Sequence, residues 1–132
     1  MAVAVLVVTH GRIGEELLAS SMRILGQNPL PCASFSVEQN CDPERVAREL
    51  AARIGRIDEG DGVLVLVDLY GATPANVVRR VREARPCAIV TGVNLPMLLK
   101  VFNYAGAALA ALAEKACDGG RDGVLHIPDG DF

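Results

Sequence analysis

Four short apolar runs, each the length of a strand, constrain this chain more than any other feature. They read AVAVLVV (2–8), CASFSV (32–37), GVLVLVD (62–68) and PCAIV (86–90). A strand with one wet face alternates apolar and polar residues. A nearly continuous apolar run instead needs cover on both faces, as in a parallel sheet with crossover helices.

The intervening stretches have helical periodicity. Ile13, Leu17, Ser21 and Ile24 fall on one face, flanked by Leu18 and Leu25. Val46, Leu50, Ile54 and Ile57 form a cleaner stripe, and Pro43 suits that helix's first turn. Thr73 and Pro74 mark a third start, with Thr able to cap and Pro suited to the first helical position. A fourth helix is expected from about Pro96 through MLLKVFNYAGAALAALAEKA, largely buried and ended by Gly119-Gly120. The order is strand-helix four times, then a short strand-like piece, GVLHI (123–127). Right-handed crossovers make this a doubly wound, flavodoxin-like α/β fold with a mainly parallel sheet in the order 2-1-3-4. The fifth strand has no following helix and is expected on an edge, of its own sheet or a partner's.

The 132 residues suit one domain, 1–132, with one core. Aromatics are only 4% of the chain, so Val, Leu, Ile and Ala must fill that core. The net charge of −3 argues against nucleic acid as the main partner, since phosphate-backbone binding needs a concentrated basic face. The arginines recur beside Glu, as in PERVARELAARIGR (43–56), and read as a solvated helix face. Cys32, Cys41, Cys87 and Cys117 form no C-x-x-C pair, and both histidines lie far from them in sequence. Inert thiols in a reducing compartment, and no metal, are the expectation. The first apolar run is too short for a membrane helix of roughly 20 residues, and it lacks the flanks of a signal peptide. A cytoplasmic protein without direct membrane insertion is expected.

In doubly wound sheets function gathers at the carboxyl ends of the strands, where strand order reverses. Strand one ends in Thr9-His10-Gly11, strand three in Asp68 followed by LYGATPAN, and strand four in Thr91-Gly92-Val93-Asn94. A 2-1-3-4 order makes strands one and three neighbours, so His10 and Asp68 would face each other. A carboxylate accepting from one ring N–H fixes an imidazole's tautomer and leaves the other nitrogen free as a nucleophile. A phosphoryl group on that nitrogen would find donors at the helix N-termini after Gly11 and at Thr73. Gly11, Gly71 and Gly92 would allow close backbone approach, and no metal or nucleotide is required. The plainer alternatives are a loop histidine without a role and an aspartate capping its own loop. The Thr73 hydroxyl could cap the helix, bind phosphoryl oxygens, or alternate between them. His126 reads as a surface residue. Neither G-x-x-x-x-G-K-[ST] nor a strand-borne G-x-G-x-x-G is present. The acidic cluster that a receiver domain needs around a phosphorylated Asp is also missing.

VTHG (8–11), LVDLYGATPAN (66–76) and GVNLPML (92–98) resemble, in order and spacing, three segments of the IIA domain of the mannose family of the bacterial phosphoenolpyruvate-dependent sugar phosphotransferase system (PTS). The resemblance covers nearly the whole chain. It implies a cofactor-free cytoplasmic phosphocarrier in which His10 accepts a phosphoryl group from the carrier protein HPr and passes it to a IIB domain. By the same resemblance Asp68 orients His10, and Thr73, with Gly11, Gly71 and Ala72 around it, holds the phosphoryl oxygens. The family also implies a homodimer whose last strand pairs with the partner's sheet. Where many relatives have Gly-Gly before the Ser or Thr, this chain has Gly71-Ala72, a stiffer loop. No IIB segment follows within the 132 residues, so a separate IIB protein is expected. Leu95 and Met97 are candidate apolar contacts for a docking partner, with packing on the core as the alternative. Other readings of the same residues are a regulatory endpoint that signals its phosphorylation state, and a phosphotransfer subunit of a dihydroxyacetone kinase.

Overall fold

The computed structural model describes residues 2–84 and 86–130. The elements are β1 (Ala4–His10), α1 (Ile13–Leu25), β2 (Cys32–Val37), α2 (Pro43–Ile57), β3 (Val63–Val67), α3 (Thr73–Ala84), β4 (Ala88–Thr91), α4 (Leu95–Asn103) and α5 (Leu109–Asp122). The sheet is parallel throughout, in the order β2-β1-β3-β4. Its register sets His10 opposite Val37, Val8 opposite Val67, and Val67 opposite Thr91.

The continuous apolar runs are explained by cover on both faces. Ala4, Leu6 and Val8 of β1, with Val63, Val65 and Val67 of β3, pack against Val46, Leu50 and Ile54 of α2 and Val77, Val78 and Val81 of α3. Val5, Val7, Leu64 and Leu66 point the other way, onto Leu18 of α1, Leu98 and Val101 of α4, and Leu112 and Ala116 of α5. Each fully buried Val or Leu contributes about 1.5–3 kcal/mol relative to exposure, so the two-sided packing fixes the strand register. Among the described residues no helix is long and apolar enough to cross a membrane.

Two expectations are corrected. The buried face of α1 is Gly14, Leu18 and Ser21, whereas Ile13 and Ile24 are 50% and 59% exposed. A Cβ on Gly14 would lie 3.0 Å from Val7 Cγ1, so the helix turns its glycine toward β1 and rolls Ile13 outward. The single long fourth helix is two, α4 and α5, joined by a reversal over residues 104–108. A continuous helix from Pro96 to Ala116 would run about 30 Å at 1.5 Å per residue. The four residues of β4 span only about 13 Å. Folding back lets Met97, Leu98, Val101 and Phe102 of α4 and Leu112 and Ala116 of α5 bury on the same sheet face. Gly119 and Gly120 lie inside α5, where their missing side chains make room for Lys100 and Met97 of α4.

Residues 123–127, expected on an edge of this sheet or of a partner's, pair with no strand of this chain among the described residues. They leave α5 with Val124 and Leu125 76% and 74% exposed. Among the described residues the sheet therefore has four strands, and the outer edge of β4 carries no neighbour.

Candidate functional site

β1 and β3 run side by side, so His10 at the end of β1 meets Asp68, the residue after β3. Asp68 Oδ2 lies 2.8 Å from His10 Nδ1 and also accepts the His10 backbone N–H at 3.0 Å. One carboxylate oxygen thus holds both ends of the residue and restricts the imidazole to one orientation. The Asp68 side chain is 12% exposed and that of His10 39% exposed, so the carboxylate sits behind the ring and the ring faces solvent. With the Nδ1 proton donated to Asp68, Nε2 keeps its lone pair. The other carboxylate oxygen, Oδ1, is buried without a hydrogen-bond partner. Among the described residues, the carboxylate's hydrogen bonding therefore rests on His10.

Backbone conformation shapes the rim. Gly11 follows the histidine at φ +48° and Gly71 lies in the β3–α3 loop at φ +82°, where a side chain would be strained. A Cβ at either would meet nothing within 4 Å. Within this chain both glycines serve the turn itself, and the space in front of them is open. The loop returns to α3 through Ala72, whose carbonyl accepts from Asn76 N at 3.0 Å. Thr73 is exposed at the first position of that helix, with Pro74 one place further in than the sequence suggested. The first turns of α1 and α3 and the loops around Gly11 and Gly71 thus border the imidazole at adjoining strand ends.

The two docking candidates separate. Leu95 is half-buried and lines an open groove of about 530 Å³ with Arg12, Ile13, Glu16, Leu17 and Ser20. Met97 is 3% exposed and packs in the core beside Gly120, as the alternative reading had it. The hydrophobic stripe puts Ile13 on the buried face, whereas the helix is rolled so that Gly14 and Leu18 meet the sheet and Ile13 reaches the surface. The glycine at 14 was the available signal.

A second groove, about 580 Å³, follows the open edge of β4 between α3 and α5. Ile89, Val90 and Thr91 form its floor and Arg79, Arg82 and Arg121 its rim, with Val124 at its end. Cys87, close by, is 7% exposed, and burial pushes its thiol pKa up, against a smaller opposing pull from Arg82. Among the described residues no three His, Cys, Asp or Glu side chains converge as a metal-ligand set would require.

A parallel doubly wound domain with an aspartate-braced histidine at adjoining strand ends is the class that fold and site define. Residues 4–117 match the EIIA-man family, described as "PTS system fructose IIA component". The chain belongs to this family: it is a mannose-family IIA component of the phosphotransferase system. It is 30% identical over 131 residues to the PTS mannose-specific EIIAB component of Escherichia coli K12. That match takes in 96% of this chain but 40% of the relative, so the chain spans well under half the length of the curated proteins it matches. The mannose/sorbose-specific IIA subunit of Enterococcus faecalis superposes with a TM-score of 0.87 at 28% identity, over 100% of this chain and 99% of that one. An EIIA component from Streptococcus agalactiae has a TM-score of 0.80 at 21% identity, over 94% and 96% of the two chains, a likeness of fold.

Proposed function

We propose that this chain is a phosphoryl carrier that takes a phosphoryl group from the phosphohistidine of HPr onto Nε2 of His10 and passes it to a IIB protein. The observation that carries this reading is the 2.8 Å contact between His10 Nδ1 and Asp68 Oδ2. In the transfer the donor's P–N bond breaks as the Nε2–P bond forms. The Nδ1 proton stays between the ring and Asp68, whose negative charge offsets the positive charge the ring gains as it bonds to phosphorus. Phosphoryl transfer needs positioning and charge stabilisation more than covalent help. The parts fit that need: amides of Gly11, Gly71 and Ala72, the Thr73 hydroxyl, and two helix N-termini facing the same edge. Catalysis of this kind places the reacting group at an exposed rim, where two proteins can bring their histidines together. Leu95, in the groove beside α1, is the docking contact.

The last segment supports a homodimer. Val124, Leu125 and Ile127 are exposed apolar residues, and among the described residues β4 has no partner strand on its outer edge. Exposed edges of this kind are pairing templates. Pairing of residues 123–127 with β4 of a second copy would cover both. A carrier fed by HPr works in the cytoplasm, and a IIB protein is its acceptor.

The test is incubation with enzyme I, HPr and labelled phosphoenolpyruvate. Acid-labile, base-stable label on the wild type and none on His10→Ala is the expected result. No label on the wild type, with HPr shown to be charged, refutes the carrier reading.

A further inference from the structure

Val3, just before β1, and Val5 and Val7 along it face the α1, α4 and α5 side, and Thr9 is the next residue on that face. Packing alone would favour a fourth valine there, since Thr and Val have nearly the same shape. Thr9 is 1% exposed, and a hydroxyl buried that deeply costs stability unless it is bonded. It is bonded: Thr9 Oγ1 accepts the backbone N–H of Gly14 at 2.8 Å. Gly14 is the second residue of α1, so its N–H is one of the first-turn donors with no partner inside the helix. The residue before the helix, Arg12, supplies no side-chain cap. The strand itself therefore caps α1, from the position just before the histidine.

This bond closes the four-residue turn from His10 to Ile13 from below, while Asp68 Oδ2 fixes its start by taking the His10 N–H. Gly14 leaves the room in which the bond forms, and a side chain there would make its neighbours give by a few tenths of an ångström. A Cβ there would lie 3.2 Å from Thr9 Oγ1 and 3.0 Å from Val7 Cγ1. The Gly14 amide is taken up by Thr9, directly after the amides of Gly11, Arg12 and Ile13. Those three lie in the turn beside the imidazole.

We infer that Thr9 is a positioning residue for phosphoryl transfer, its buried hydroxyl pinning the first turn of α1 to β1 so that His10 and the turn amides are held in fixed relation. This rests on the carrier reading given above. It assigns Thr9 no contact with the phosphoryl group.

The test compares Thr9→Val, which keeps the shape and loses the acceptor, with Thr9→Ser, which keeps the acceptor and loses the methyl. Gly14→Ala disturbs the same bond from the other side. Ser21→Ala removes the other buried hydroxyl of this face, bonded to the Leu18 carbonyl away from the histidine, and serves as the packing control. Each is melted thermally and its rate of phosphorylation by phospho-HPr is measured. Loss of one hydrogen bond is worth up to about tenfold in rate where it acts on the transfer step. Thr9→Val and Gly14→Ala should be slowed by up to that factor while folded, with Thr9→Ser and Ser21→Ala near the wild-type rate. A Thr9→Val protein as fast as wild type overturns the inference, and so does a Thr9→Ser protein as slow as Thr9→Val. If Thr9→Val and Gly14→Ala both lose cooperative melting, the bond is a folding determinant and the positioning role is overturned. An unlabelled wild type would sink the carrier reading and this inference with it. A labelled wild type matched by Thr9→Val removes this inference alone.

Discussion

Asp68 Oδ2 holds His10 at two points, 2.8 Å from Nδ1 and 3.0 Å from the backbone nitrogen, although 58 positions separate the two residues in sequence. The parallel pairing of β1 with β3 makes the contact, because it sets both strand ends at the same level. The pair is thus a consequence of topology, and its disruption should be felt in chemistry before it is felt in stability.

Asp68→Asn keeps the shape and removes the charge. Hydrogen bonds to a charged group are worth about 1.5–3 kcal/mol, so transfer to His10 should fall roughly 10- to 100-fold. The rate of labelling by phospho-HPr measures this. A rate unchanged from wild type would mean that the carboxylate's charge is not used.

The close approach of α4 to α5 predicts a stability effect far from the histidine. A Cβ on Gly120 would lie 2.8 Å from Met97 Cε, and one on Gly119 would collide with Lys100 Cβ. Met97 can give way at its flexible end, whereas the Lys100 Cβ is fixed to its backbone. Gly119→Ala should therefore cost about 1–3 kcal/mol and Gly120→Ala less. Urea denaturation midpoints order the two variants, and the reverse order would contradict the packing described.

Cys87 gives the stability a pH dependence on the alkaline side. Burial raises its thiol pKa in the folded state, so the native protein keeps this proton at a pH where the unfolded chain releases it. Its contribution is complete below the ordinary thiol pKa of about 8.5 and is lost as pH rises toward the folded value. Denaturation midpoints for wild type and Cys87→Ala should run parallel below that range and converge above it. The wild-type thiol should also resist alkylation at neutral pH until the protein is unfolded.

The exposed segment after α5 predicts an association that can be removed. Leu125→Asp should leave the four-stranded sheet intact, since Leu125 is 74% exposed and touches no core strand. It should shift a dimer toward monomer in sedimentation at micromolar concentration. A monomeric wild type would contradict the edge pairing proposed for residues 123–127.

Much of this was legible in the chain, and the failures have physical reasons. The strand order and the meeting of His10 with Asp68 followed from continuous apolar runs and right-handed crossovers, which leave few topologies open. The two helices after β4 were read as one because an Ala-rich stretch has no strong stop signal. What divides it is the length of the sheet it must cover, a tertiary constraint. Gly119-Gly120 looked like a terminus and is a packing notch, since glycine serves both purposes. The roll of α1 was hidden for a similar reason: Gly14 contributes nothing to a hydrophobic stripe, yet it decides which face meets β1. Met97 fell to the core because it stands two places into α4, on the side facing the sheet, while Leu95 at the helix start stays half-exposed.

The central claim is that His10, held by Asp68, carries the phosphoryl group. The most direct measurement is labelling of wild type and His10→Ala by enzyme I, HPr and radioactive phosphoenolpyruvate, followed by acid and base treatment of the labelled protein. Acid-labile, base-stable label on the wild type and none on the variant is the expected result. Label that persists on His10→Ala, or that withstands acid, would place the phosphoryl group elsewhere and contradict it.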